Sequence, residues 1–196
     1  MPLLTEKAGS LSDTMCGMSE EIAYFATGCF WGAERRFWQM PGVIRTSVGY
    51  MGGRRENPSY EQVCTGTTGH TETVEVTFDP EVISYEHLLA EFWMMHDPTS
   101  LNRQGNDIGT QYRSAIFITS PRQAEIANVS RAKYQSALDA EGIGEIVTEI
   151  SDASAHPYWL AEEYHQQYLK KNPNGYDCHS STGVAYPMQE LREVHK

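Results

Sequence analysis

Residues 73–79, Thr-Val-Glu-Val-Thr-Phe-Asp, alternate Val74, Val76 and Phe78 with polar neighbours. A period of two demands a half-buried strand with one apolar face, and Pro80 ends it. Around that strand the period keeps switching. Residues from Glu21, "EIAYFAT", have the β-branched and aromatic content of a strand. Phe30, Ala33, Phe37 and Trp38 then fall on one face of a short helix, which Pro41-Gly42 stops. Residues 43–50 read as a second strand. Beyond Pro80, Ser84 can cap a helix with Leu88, Leu89, Phe92 and Trp93 on one face. Residues 111–119 make a fourth strand. Ser120-Pro121-Arg122-Gln123 is a capping box with Pro at the first helical position, and its helix runs to about Ala140. A further strand is expected over 145–151 and a last helix over 157–171.

The core order β-α-β-β-α-β is that of the ferredoxin-like, or split βαβ, pattern, with additional elements after it. The expected fold class is α+β: a two-layer sandwich, a mixed sheet with helices packed on it, and a Gly-rich C-terminal tail. Residues 1–20 lack periodicity and read as a mobile N-terminal extension. Residues 21–196 read as one domain that includes the tail from about residue 172. The connections from Met51 to Glu72 and from Asp97 to Thr110 are long and polar. Such loops in a compact domain are usually functional or disordered.

Composition narrows the partners. The chain is 40% hydrophobic and 21% charged, which suits a globular domain. Lys and Arg number 15 against 26 Asp and Glu, a formal net charge of −11 that disfavours nucleic acid. The amino terminus lacks the basic start and apolar run of a secretory signal. No segment approaches the ~20 apolar residues of a membrane span. No membrane partner is therefore expected, and the expected location is cytoplasmic. The four cysteines, Cys16, Cys29, Cys64 and Cys178, form no C-x-x-C pair, which disfavours a zinc ribbon or a thioredoxin-type motif. In a reducing compartment four thiols are expected, and any disulfide is more readily catalytic than structural.

Within "YFATGCFWGAERRFW", residues 24–38, Cys29 falls where the strand turns into the helix. The first N–H groups of the helix and its positive dipole end favour a thiolate there, hence a lowered pKa and a nucleophile. Gly28 and Gly32 leave room for substrate and for close backbone approach. Phe30 and Trp31 offer an apolar wall for a small hydrophobic group. The competing reading is a buried cysteine that only fills space. Helix start, glycines and aromatics together favour the reactive one.

"GCFWGAERRFWQMPGV" closely resembles the active-site segment of the type A peptide methionine sulfoxide reductases. So do "GYMGGRRENPSYEQVCTGTTGHTETVEVTFDP", "FWMMHDPTSLNRQGNDIGTQYRSAIF" and "YHQQYLKKNPNGY", in order, across roughly residues 21–187. The resemblance implies a catalytic domain that reduces the S-at-sulfur epimer of methionine sulfoxide, free or in proteins, with no cofactor and no metal. It makes Cys29 the nucleophile and Glu72 the acid that delivers a proton to the sulfoxide oxygen, which requires a raised pKa. Tyr60 and Tyr112 correspond to phenols that hydrogen-bond the same oxygen. Asp107 corresponds to a carboxylate that orients substrate and water, and Phe30 and Trp31 would receive the methyl group. Cys178, in the tail, is the expected recycling thiol: it would condense with the sulfenic acid on Cys29, and thioredoxin would reduce the disulfide. Asp177 stands between Gly175-Tyr176 and that cysteine, and no second tail cysteine follows, so a two-cysteine cycle is expected. Cys64 is expected to be structural. A monomer is expected.

Two other readings compete. His70-x-Glu72 mimics half of a zinc deaminase signature, but the C-x-x-C half is missing. His96, His165 and His179 are too scattered to argue for a metal. A module that only binds oxidised or methionine-rich peptides would need no reactive thiol.

Overall fold

A computed structural model describes residues 19–177 and 180–188 of the chain. The elements are β1 (Glu21–Thr27), α1 (Phe30–Trp38), β2 (Val43–Met51), α2 (Tyr60–Cys64), β3 (Thr71–Phe78), α3 (Tyr85–Met95), β4 (Arg103–Gln104), β5 (Asp107–Ile108), β6 (Ser114–Ile118), α4 (Pro121–Ala140), β7 (Glu149–Asp152), β8 (Trp159–Leu160) and α5 (Tyr168–Lys171). Among the described residues, six strands form one sheet in the order β7-β6-β1-β3-β2-β8, and β4 pairs with β5 in a small hairpin. β6 and β7 run parallel, and the other neighbours are antiparallel. β3 lies between β1 and β2, while β1 lies between β3 and β6. Each βαβ half is thus split by a strand of the other, which is the α+β arrangement read from the element order.

Alternation along the strands decides which side chains meet the helices. Ala23 and Phe25 of β1 enter the core shared with α1 and α3, as do Val74, Val76 and Phe78 of β3. Ala26 faces the other way, into a small cluster with Met51, Ala115 and Phe117. Phe25 stacks on Phe37 of α1, centroids 5.0 Å apart, and lies 5.5 Å from Phe92 of α3. Each buried aromatic of this kind contributes roughly 1.5–3 kcal/mol, enough to fix α1 on the sheet. β3 departs from the half-buried strand expected for residues 73–79. Its polar face is covered as well, with Thr71, Thr73 and Thr77 all buried. On that face Tyr24 donates to Glu75 at 2.9 Å.

The helix starts follow the sequence with one exchange. Ser84 accepts from the His87 amide and Ser120 from the Gln123 amide, with Pro121 at the start of α4. The Gln123 side chain, however, accepts from Thr119 N–H and donates to the Ile22 carbonyl, tying α4 to β1. A reciprocal capping box stands instead at Ser59 and Gln62, ahead of α2 in the first long loop. The second long loop holds the β4–β5 hairpin.

The carboxy-terminal third differs more. Only 168–171 of the helix expected over 157–171 is helical, and Trp159–Leu160 pairs with β2 instead. Gly49 of β2 permits this approach, because a Cβ there would run into the Trp159 carbonyl and the Tyr158 ring. Residues 161–167 form a strap held by distant partners. Gln166 brackets Val48, accepting from its N–H at 2.9 Å and donating to its C=O at 2.8 Å. The strand expected over 111–119 starts only at Ser114, after a 3₁₀ turn over Thr110–Tyr112. The strand expected over 145–151 is Glu149–Asp152. In the tail, Tyr134 bonds the Thr182 hydroxyl and the Val184 carbonyl, and the Tyr186 ring is buried beside it. Residues 1–18 lie outside the described residues. Among the described residues no helix is long and apolar enough to cross a membrane.

Candidate active site

The turn between β1 and α1 places Cys29 as the residue that caps α1. Its side chain is buried, 7% exposed. Gly28 before it has φ +98, a left-handed conformation that suits glycine. A Cβ on Gly28 would meet Gln104 of β4 at 2.7 Å. The close approach expected at Gly28 is thus made by Gln104 of the β4–β5 hairpin, which takes the room expected there for substrate. Gln104 is itself fixed by two bonds to the Asp97 backbone, at 3.0 and 2.7 Å.

Period two on β3 explains the carboxyl group at the turn. Glu72 shares the helix-side face with Val74, two residues along, so it points beneath the first turn of α1. Its Oε2 accepts the N–H of Phe30 at 3.0 Å. Glu72 is 2% exposed, and burial pushes its carboxyl up to about 8; the Phe30 bond pulls the other way, and the Asp107 charge adds to the rise. A carboxyl with this pKa holds its proton at neutral pH. Oε2 already serves as acceptor, so the hydrogen belongs on Oε1.

Two phenols share this environment. Tyr60 opens α2 and Tyr112 ends the 3₁₀ turn. Both are held above the ordinary phenol range, by burial first. Glu72, Asp107, Cys64 and Cys29 all lie near enough to oppose ionisation of Tyr112. Asp107 of β5 accepts from the Tyr176 hydroxyl at 3.0 Å through Oδ1, while its buried Oδ2 has no hydrogen-bond partner among the described residues. Cys64, expected to be structural, is exposed at the end of α2 and lies near the Tyr60 phenol.

The aromatic residues divide by burial. Phe30 is 1% exposed, with ring centroids 6.0 Å from Tyr50 and 5.1 Å from His165. Trp31 is half-buried, stacks on Tyr168 at 3.8 Å, and donates its indole N–H to His165 Nδ1 at 3.1 Å. His165 therefore carries its hydrogen on Nε2, and burial lowers its pKa, so the ring is neutral. Its ring also touches Tyr60 and Tyr164, with centroids at 4.5 and 4.1 Å. Neither His165 nor Tyr168 was assigned a role from the sequence, although both lie in "YHQQY". Both fall within the helix expected over 157–171, far along the chain from Trp31, so only the fold brings them to it.

Cys29, Glu72, Tyr60, Tyr112, Asp107, Phe30 and Trp31 are thus brought to one region, and Cys178 lies outside the described residues. The deaminase reading fails on His70. Its Nδ1 accepts from Gly53 N–H and its Nε2 donates to the Arg55 carbonyl, so both ring nitrogens serve the loop.

A buried thiol at a helix start, with a carboxyl that keeps its proton and two phenols in the same region, is equipment suited to a thiol-dependent oxidoreductase. The family model described as peptide methionine sulfoxide reductase matches residues 21–193. The peptide methionine sulfoxide reductase MsrA of Streptomyces griseus is 61% identical over 168 residues, 86% of this chain and 76% of that one. A second relative of that name in Caulobacter vibrioides, MsrA 1, is 59% identical over 168 residues, with the same shares of the two chains. Among solved structures, methionine sulfoxide reductase A of Corynebacterium diphtheriae superposes with a TM-score of 0.74 at 48% identity, over 87% of this chain and 84% of that one. Reduced Mxr1 of Saccharomyces cerevisiae gives 0.72 at 35%, over 83% and 92%. The chain belongs to the type A peptide methionine sulfoxide reductases, and its chemistry is the reduction of methionine sulfoxide.

Proposed function

We propose that the enzyme reduces the S-at-sulfur epimer of methionine sulfoxide, free or within proteins, by thiolate attack of Cys29 on the sulfur. The observation that carries this reading is the Glu72 carboxyl, buried and held protonated beside the start of α1. A sulfoxide sulfur becomes electrophilic when its oxygen is protonated or strongly hydrogen-bonded. The Glu72 hydroxyl and the Tyr60 and Tyr112 phenols supply those bonds in a site of low dielectric. Cys29 attacks the sulfur, the proton of Glu72 goes to the oxygen, and the oxygen ends on Cys29. The sum is sulfoxide plus thiol giving methionine plus sulfenic acid. Phe30 and Trp31 receive the methyl group, and the free Oδ2 of Asp107 orients substrate and water.

In the second stage the Cys178 thiol displaces water from the sulfenic acid and forms a disulfide with Cys29. A dithiol of the thioredoxin class then returns both cysteines to thiols. Residues 21–196 act as one catalytic domain, as a monomer in the cytoplasm, where such reductants operate.

The test is consumption of the two sulfoxide epimers with dithiothreitol as reductant. Loss of the S epimer alone is expected. Equal loss of both, or survival of the S form, contradicts the reading. Cys178→Ser should keep activity with dithiothreitol and lose it with thioredoxin.

A further inference from the structure

We infer that Glu162 is a positioning residue for the reaction, acting through Tyr60; the inference rests on the reading of Tyr60 as a donor to the sulfoxide oxygen. Glu162 lies in the strap, 102 residues from Tyr60, yet its Oε1 accepts the Tyr60 backbone N–H at 2.8 Å. Its Oε2 accepts the Tyr50 hydroxyl, also at 2.8 Å. Tyr50 is fully buried and stands opposite Glu72 in the β2–β3 register. One carboxylate therefore ties the start of α2, which carries the phenol, to the strand pair that carries the acid.

The Tyr60 ring packs on His165 and the core edge, but α2 itself does little to fix its backbone. α2 has five residues, and Val63 is the only one of them fully buried. The Ser59–Gln62 capping box satisfies the amides of Gln62 and Ser59, leaving the Tyr60 N–H to Glu162. The strap that presents Glu162 is firmly seated. Ala161 N–H bonds the Val48 carbonyl at 3.0 Å, and Gln166 brackets Val48 on both sides. A phenol oxygen sits at the far end of its side chain, so a small rotation of the backbone moves it by an ångström or more. Misplacement on that scale costs about 10²-fold in rate. A carboxylate suits the task because it only accepts, and its two oxygens take two diverging donors.

The experiment is a double-mutant cycle read as kcat and KM for the S epimer with dithiothreitol. Tyr60→Phe and Glu162→Ala are each expected to lower kcat by roughly 10- to 100-fold with KM little changed. The double variant should be no slower than the slower single one. Glu162→Gln should restore most of the loss, since its amide oxygen can take the Tyr60 N–H and its NH₂ can donate to the Tyr50 oxygen. Losses that multiply in the double variant, a Gln variant as slow as Ala, or a lowered melting temperature with unchanged kcat overturn the inference. A Tyr60→Phe enzyme at the wild-type rate overturns the reading of Tyr60 itself, and the inference with it. Should Glu162→Ala not fold, Glu162→Asp replaces it in the cycle. That variant keeps the charge but falls one methylene short, and is expected to show the same loss.

Discussion

At the scale of one residue, the proposed chemistry rests on Glu72. Its carboxyl is a weak acid only because the strand register hides it behind the first turn of α1. With a pKa pushed up to about 8, it is protonated through neutral pH and loses its proton in mild alkali. An acid must hold the proton it delivers, so kcat is expected to fall as pH rises through about 8. Glu72→Gln should be slower by roughly 10²–10⁴-fold at pH 7 and should lack that alkaline limb. A pH–rate profile of both proteins checks this. Retention of the limb in Glu72→Gln would assign it to another group.

Among the elements, α1 and α5 share a second buried carboxyl. Glu34 of α1 is fully buried and accepts from the Thr46 hydroxyl at 3.1 Å and from the Gln167 N–H at 2.8 Å. Gln167 has φ +50, a left-handed residue directly before α5, and Tyr168 after it stacks on Trp31. The Glu34 clasp therefore holds the element that backs the tryptophan. Burial raises its pKa to about 7 against the pull of its two bonds. The folded state then binds the proton more tightly than the unfolded chain. Its contribution is fully present below the ordinary carboxylate range and is lost as pH rises through about 7. Glu34→Gln should accordingly lose less melting temperature between pH 5 and 8 than the wild type. Equal losses would mean that Glu34 does not titrate in that window.

The same elements show how far local sequence reaches. Periods of 2 and 3.6 were readable in α1, β3 and α3 because each lays one apolar stripe on a common core, while β1 was readable from its residue content and α4 from its cap. The strap could not be read this way. Tyr158, Ala161, His165 and Leu169 are spaced like a helix face. What forbids the helix is remote: Gln166 on Val48, Glu162 on Tyr60, and Glu34 on the Gln167 amide. No window along the chain contains both ends of these bonds. The site divides likewise. Cys29 was legible from its turn and flanking residues. Glu72, Tyr60, Tyr112 and Asp107 needed the family resemblance, since each alone reads as an ordinary strand or loop residue. Glu162, His165 and Tyr168 emerged only from the fold.

Over the whole molecule, the two long loops and the strap converge on one end of the sheet, around the start of α1. α2 contributes Tyr60, the β4–β5 hairpin contributes Asp107, and the strap carries Glu162 and His165. The split βαβ frame supplies the fixed partners, Cys29 after β1 and Glu72 on β3. On the proposed mechanism, this assembly moves one oxygen from the substrate sulfur to the Cys29 sulfur. The most direct measurement uses the full chain as Cys178→Ser, fully reduced, mixed with the S epimer without any reductant, followed by dimedone trapping and peptide mass analysis. One methionine per protein molecule and a dimedone adduct on Cys29 are expected. Methionine released with Cys29 unlabelled, or with the label on Cys64, would contradict Cys29 as the oxygen-accepting nucleophile.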